Sequence, residues 1–146
     1  MSGFLIRKTV PEDAGNICEI NKNSLGYDFS ADKTAVQIKQ ITKDEKTLLL
    51  SVKDDENRAV GYIEAQIYDT PYAETYVNIM ALAVDEKFQG QGLGKKLLSA
   101  AENWGKTKGA VGIRVESSTY RTEAHKFYKA CGYECAKEHK NFKKIF

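Results

Sequence analysis

Apolar and polar positions along the chain follow two periods, and the switches between them mark out its elements. Residues 4–8 read as a short first strand. Ala14, Ile17, Cys18 and Leu25 then recur at helical spacing. Thr9 and Glu12 stand three apart as a capping box, Pro11 lies in the permissive first turn, and Gly26 is the stop. A second helix from about Ala31 carries Ala35, Ile38 and Ile41. Strand periodicity returns over 47–52. After the polar turn 53–57 it continues over 60–68, with Tyr62, Glu64 and Gln66 on one face and Ile63, Ala65 and Ile67 on the other. The connection 69–74 contains Pro71. Residues 75–84 form a central strand that ends in an unbroken apolar run from Ile79, as a strand covered on both faces requires. Leu93, Leu97, Leu98, Ala101 and Trp104 make the buried stripe of a helix ending near Gly109. A strand over 111–115 and a polar connection follow. Ala124, Phe127, Tyr128 and Cys131 then define a helix over 122–130, stopped by Gly132. Residues 133–137 and 142–146 read as a closing pair of strands.

The order is β-α-α-β-β-β-α-β-α-β-β. A helix between two strands implies a parallel crossover, and the remaining strands pair antiparallel. This is an α+β fold, α/β in looser usage, with a mixed sheet of about seven strands and about four helices. At 146 residues it fits one domain over 1–146, long enough for one core. A net charge of +2 with dispersed lysines gives no basic face for nucleic acid. No apolar run nears the roughly 20 residues of a membrane span, and the N-terminal residues lack the apolar stretch of a signal peptide. Cys18, Cys131 and Cys135 are odd in number and lack metal-ligand spacing, which reads as reduced thiols in a cytoplasm and no metal site.

The chemistry concentrates after the central strand, where Gly90, Gly92 and Gly94 alternate before Lys95, Lys96 and the apolar helix. Glycines let the backbone approach a ligand closely. The helix start adds four unpaired N–H groups and about half a positive charge. The natural guest is a phosphate or pyrophosphate. A Walker loop fails twice, because Gln89 replaces its first glycine and Lys96 its hydroxyl. A dinucleotide fingerprint fails once, with Lys95 in place of the third glycine, and would lie earlier in the chain. A third pattern fits in full: Gln or Arg, then glycine three residues on, then Gly or Ala two further, here Gln89, Gly92 and Gly94. That is the acetyl-CoA pyrophosphate loop of the GCN5-related N-acetyltransferase family, which this chain resembles over its whole length. Ala124, Tyr128, Gly132 and Tyr133 resemble the family's second signature. The final strands resemble those of small bacterial-type members acting on aminoglycosides or aminoalkyl compounds.

The resemblance implies acetyl transfer from acetyl-CoA to a primary amine of a small molecule. A peptide or protein amine, or a non-catalytic acetyl-CoA-binding relative, is the alternative. It implies that Gln89, Gly90, Gln91, Gly92, Leu93, Gly94 and Lys95 hold the pyrophosphate, and that Leu82, Ala83 and Val84 line the pantetheine arm. The Leu82 main-chain N–H then polarises the thioester carbonyl, and Tyr128 is the general acid beside the cofactor. Asn78 stands where some members carry a glutamate base; an amide can hold a water instead. Glu64 is the first alternative base, with Glu74 and Glu116 next. Arg121 replaces a common asparagine and reaches a phosphate or anionic acceptor, or is a solvated helix-start residue. His125 is a base or ligand, or packs or bonds locally, and His139 faces solvent. The acceptor pocket is expected from the loops 24–30 and 69–74 and the last strands, with Tyr27, Phe29, Tyr68, Tyr72 and Tyr120 as candidate lining. A homodimer is expected by analogy with small members.

Overall fold

The computed structural model describes residues 3–146, which fall into two compact units divided between Val115 and Glu116. The first holds a five-stranded sheet in the order β1 (Leu5–Lys8), β2 (Thr47–Lys53), β3 (Ala59–Thr70), β4 (Ala73–Val84) and β5 (Ile113–Val115). All neighbours pair antiparallel except β4 and β5, which are parallel. The crossover between those two is α3 (Leu93–Thr107), as the sequence order requires.

Helices α1 (Ala14–Ile20) and α2 (Ala31–Ile41) contribute Ala14, Ile17, Ile20 and Ile38 to one core cluster. Leu49, Tyr62 and Ala83 of β2, β3 and β4 meet them. On α3, Leu93, Leu97, Leu98 and Ala101 are fully buried. Each leucine contributes about 1.5–3 kcal/mol over an exposed position. Gly105 lets α3 lie on β4: a Cβ there would stand 2.6 Å from Val77 Cγ2.

Three details differ from the pattern reading. The first helix is capped one residue later than Thr9 and Glu12 suggest. Val10 N–H donates to Asp13 Oδ2 at 2.9 Å, while Thr9 Oγ1 pairs with Ser51 Oγ at 2.6 Å. Asp13 wins because it also meets the buried Lys53 ammonium, which exposed Glu12 does not. Next, 69–74 is no open loop. Thr70 pairs with Ala73, leaving only Pro71 and Tyr72 in a tight hairpin turn. Proline fits there because a turn position needs no ladder N–H.

The third concerns the second unit. It contains α4 (Thr122–Ala130), whose bounds match the sequence pattern. The expected closing strands over 133–137 and 142–146 are absent, so the sheet has five strands rather than seven among the described residues. That stretch carries Glu134, Lys137, Glu138, Lys140, Lys143 and Lys144, which break any apolar alternation. Phe142 and Ile145 stand 88% and 81% exposed, so neither has the packed face on which a strand depends.

Candidate functional site

β4 is bulged and outruns its parallel neighbour. Its register with β3 shifts between Glu64 and Ala65, paired with Ala81 and Ile79, which leaves Met80 as the extra residue. β5 pairs only with Val77, Asn78 and Ile79. The last residues of β4 therefore run on past β5. Asp85 N–H donates to Val60 at 2.8 Å. The alternation of an antiparallel ladder then turns Leu82 and Val84 away from β3. Their main-chain groups face the side on which β5 stops at Val115.

A one-turn helix, Glu86–Phe88, carries the chain from β4 to the glycine loop. Gly90 and Gly92 have φ of 81° and 80°, the left-handed region that other residues enter only at a cost. Gly92 is the residue before α3, and no side chain caps that end. The first helical bond is Lys96 N–H to the Gly92 carbonyl at 3.1 Å. Leu93, Gly94 and Lys95 thus head the helix with the unpaired donors such a terminus leaves. Gln89, Gly90, Gln91 and Gly92 are exposed, as are the Lys95 and Lys96 side chains. Leu93 differs: its side chain is a core anchor and only its backbone belongs to the loop. The Gln89 side chain reaches back to the end of β4, its Nε2 donating to the Val84 carbonyl at 2.9 Å. The arrangement suits an anion with several oxygens, such as a pyrophosphate.

The α1/α2 face of the sheet carries the polar candidates. Tyr62 donates its hydroxyl to Asn21 Oδ1, and burial pushes its pKa up to about 12. Two residues on, half-buried Glu64 is raised above the usual carboxylate range by desolvation. Asn78 is held at both ends: Oδ1 accepts from Arg114 at 2.8 Å and Nδ2 approaches Met80 Sδ at 3.0 Å. Arg114 also stacks 4.4 Å from the Tyr68 ring centroid. Sequence reading passed over Arg114, although a cation between Ile113 and Val115 in a three-residue strand is the signal that marks it. Glu74 lies exposed at the start of β4. Tyr27, Phe29 and Tyr72 are exposed too.

Within the second unit, Tyr128 sits on α4 with its ring 5.3 Å from Phe127 and 5.8 Å from Tyr133. Burial raises its pKa, against the opposing pull of the Arg121 charge, so the phenol stays protonated at neutral pH. Arg121 lies over Tyr120 at 5.5 Å, just before α4. His125 is bound locally, Nε2 to the Ser118 carbonyl at 2.9 Å. His139 Nδ1 stands 3.9 Å from Glu116, which is itself exposed. Among the described residues no three His, Cys, Asp or Glu side chains stand together as metal ligands, and no helix is long and apolar enough to cross a membrane.

Comparison with known proteins bears on the family and the fold. The model of the acetyltransferase (GNAT) family matches residues 15–133. The Escherichia coli K12 N-acetyltransferase YhbS is 34% identical over 97 residues, 65% of this chain and 56% of that protein. The chain thus spans little more than half the length of that relative. An aminoglycoside N(6')-acetyltransferase of Stenotrophomonas maltophilia is 25% identical, over 88% of this chain and 85% of its own length. Among solved structures, AAC(6')-Iy in complex with a bisubstrate analogue has a TM-score of 0.84 at 21% identity. It covers 99% of this chain and 100% of its own. A Bacillus halodurans transcriptional regulator has a TM-score of 0.83 at 20% identity, covering 98% and 99%. At such identity the likeness is one of fold.

Proposed function

The chain belongs to the acetyltransferase (GNAT) family, and we propose that the whole of it is one domain that moves an acetyl group from acetyl-CoA to a primary amine of a small molecule. The observation that carries this reading is the junction of β4 and α3. A strand edge at Leu82 and Val84 that β5 does not pair with runs into a loop with two left-handed glycines and an uncapped helix start. One end suits the amides of a pantetheine arm and the other its pyrophosphate. The similar aminoglycoside acetyltransferase supports an amine of small-molecule type.

The reaction divides among few groups. The amine nitrogen attacks the thioester carbon, the carbon–sulfur bond breaks, and the amine loses one proton while the thiolate gains one. The Leu82 N–H, aimed off that edge, stabilises the oxyanion of the addition step. Glu64 takes the amine proton. Its carboxyl is half-buried and desolvated, so it holds a proton more firmly than a surface carboxylate. Asn78, already bonded by Arg114, retains one lone pair and one N–H with which to position a water on the same face. Tyr128 supplies the proton to the leaving thiolate, which its protonated state at neutral pH permits. Arg121 adds positive charge in the same unit for a phosphate. A homodimer in the cytoplasm completes the reading. The test is an amine-library screen that reads CoA thiol release. Turnover with small polyamines, aminoglycosides or aminoalkyl acids supports the proposal. Acetyl-CoA binding with no turnover on any amine favours a sensor instead.

A further inference from the structure

The Val84 carbonyl accepts two hydrogen bonds from two different elements, and that is one more than a substrate-binding strand edge can spare. Gln89 Nε2 donates at 2.9 Å from the head of the glycine loop. Ser24 Oγ donates at 3.2 Å from the π-helical turn Asn21–Leu25, sixty residues away in sequence. A carbonyl oxygen has two lone pairs, so both directions are taken. A donor arm lying along β4 as a strand would lie needs one of them for its amide N–H. The Ser24 bond is longer than the usual range for a hydroxyl donor, while the Gln89 bond is of normal length. The hydroxyl is the partner that yields.

Its release has a consequence, because the turn it holds leads into residues 26–30, which carry two exposed aromatics and are expected from the sequence to line the acceptor pocket. The π-helical turn is itself a wide, irregular piece of helix, a form common at functional sites. Gly26 follows in the left-handed conformation, φ 75°, and behind it come exposed Tyr27 and Phe29 before Ser30 caps α2. Besides Ser24, this segment is tied by Asn21 to Tyr62, by Tyr27 N–H to Asn21, and by the Cys18 thiol to the Phe29 carbonyl. Among these ties, the Ser24 bond is the one that ends on Val84 of β4.

We propose that Ser24 is a positioning residue that couples the two substrate sites, its hydroxyl occupying the Val84 lone pair that the acyl donor takes, so that donor binding unlatches the segment 21–30 for the acceptor. This rests on the reading of β4 as the donor's edge. The test titrates acetyl-CoA by calorimetry into the full chain, Ser24→Ala and Ser24→Thr, and follows hydrogen exchange of amides 26–30. Removing the competitor makes Ser24→Ala bind acetyl-CoA about 3- to 10-fold more tightly, the worth of one hydrogen bond. Ser24→Thr, which keeps a hydroxyl, restores the parent affinity. Amides 26–30 of the parent exchange faster once acetyl-CoA is bound, whereas those of Ser24→Ala are fast from the start. Equal or weaker binding by Ser24→Ala, or amides 26–30 indifferent to acetyl-CoA in the parent, overturns the coupling alone. Failure of the parent to bind acetyl-CoA at all overturns both the coupling and the function it rests on.

Discussion

Replacing Gly92 by alanine separates backbone strain from every other role of the glycine loop. A Cβ built there meets nothing within 4 Å, so no clash contributes. What remains is the φ of 80°, and holding an L-residue in the left-handed region costs about 1–2 kcal/mol. The variant can bear that cost in two ways. If the loop keeps its shape, unfolding stability falls by about 1–2 kcal/mol and acetyl-CoA affinity is unchanged. If the loop relaxes, stability is kept and affinity falls by about 5- to 30-fold, the same free energy expressed in binding. The sum of the two losses is therefore fixed. Gly15 is the control. It also has open space for a Cβ, but it lies in α1 without a positive φ, so Gly15→Ala stabilises by about 0.5–1 kcal/mol. Urea unfolding of both variants, with and without acetyl-CoA, together with calorimetric titration, measures all four quantities. A Gly92→Ala protein that matches the parent in both stability and affinity would refute the reasoning.

Glu64→Gln should lower turnover by about 100- to 10,000-fold and remove the acidic limb of the pH–rate profile, which in the parent lies above the ordinary carboxylate range. The stability sign runs the other way. A folded pKa raised by burial gives stability that is complete below the unfolded pKa of about 4.3 and lost as pH rises through the folded value. Glu64→Gln is thus more stable than the parent at pH 7 but not at pH 4, as thermal melts would show. Tyr128→Phe should reduce turnover by about 100-fold or more while acetyl-CoA affinity stays within a few-fold, and an unchanged rate would remove the phenol from the mechanism. Asp13→Ala strands the Lys53 ammonium, whose side chain is only 7% exposed, and should cost about 3–5 kcal/mol in urea unfolding, against less for a paired apolar replacement of both.

Legibility from sequence followed how local each cause is. Gly92, Leu93 and the apolar stripe of α3 encode their own conformations, and the helix begins where they place it. The run Ile79–Val84 likewise announces a strand, but not one covered on both faces: Met80, the bulged residue, stands 51% exposed. The pattern does not encode which strand stops short. The edge of β4 that β5 leaves unpaired arises because β5 has only three residues, a property of pairing rather than of β4's own composition. Asn78 was legible as a departure from the family's base, but its bond to Arg114 depends on parallel register across the sheet. Ser24 carried no signal at all, since its partner is a backbone carbonyl whose direction is set by alternation against β3. The expected closing strands failed for a reason visible in the chain, the lysines and glutamates of the last fourteen residues, which outweigh two phenylalanines.

The most direct measurement is an amide-resolved NMR titration of the full chain with acetyl-CoA. The account predicts saturable binding, with the largest shifts at the N–H groups of Leu82, Val84 and residues 90–95, and loss of that pattern when inorganic pyrophosphate competes for the loop. Shifts confined elsewhere on the molecule, or no binding, would contradict it.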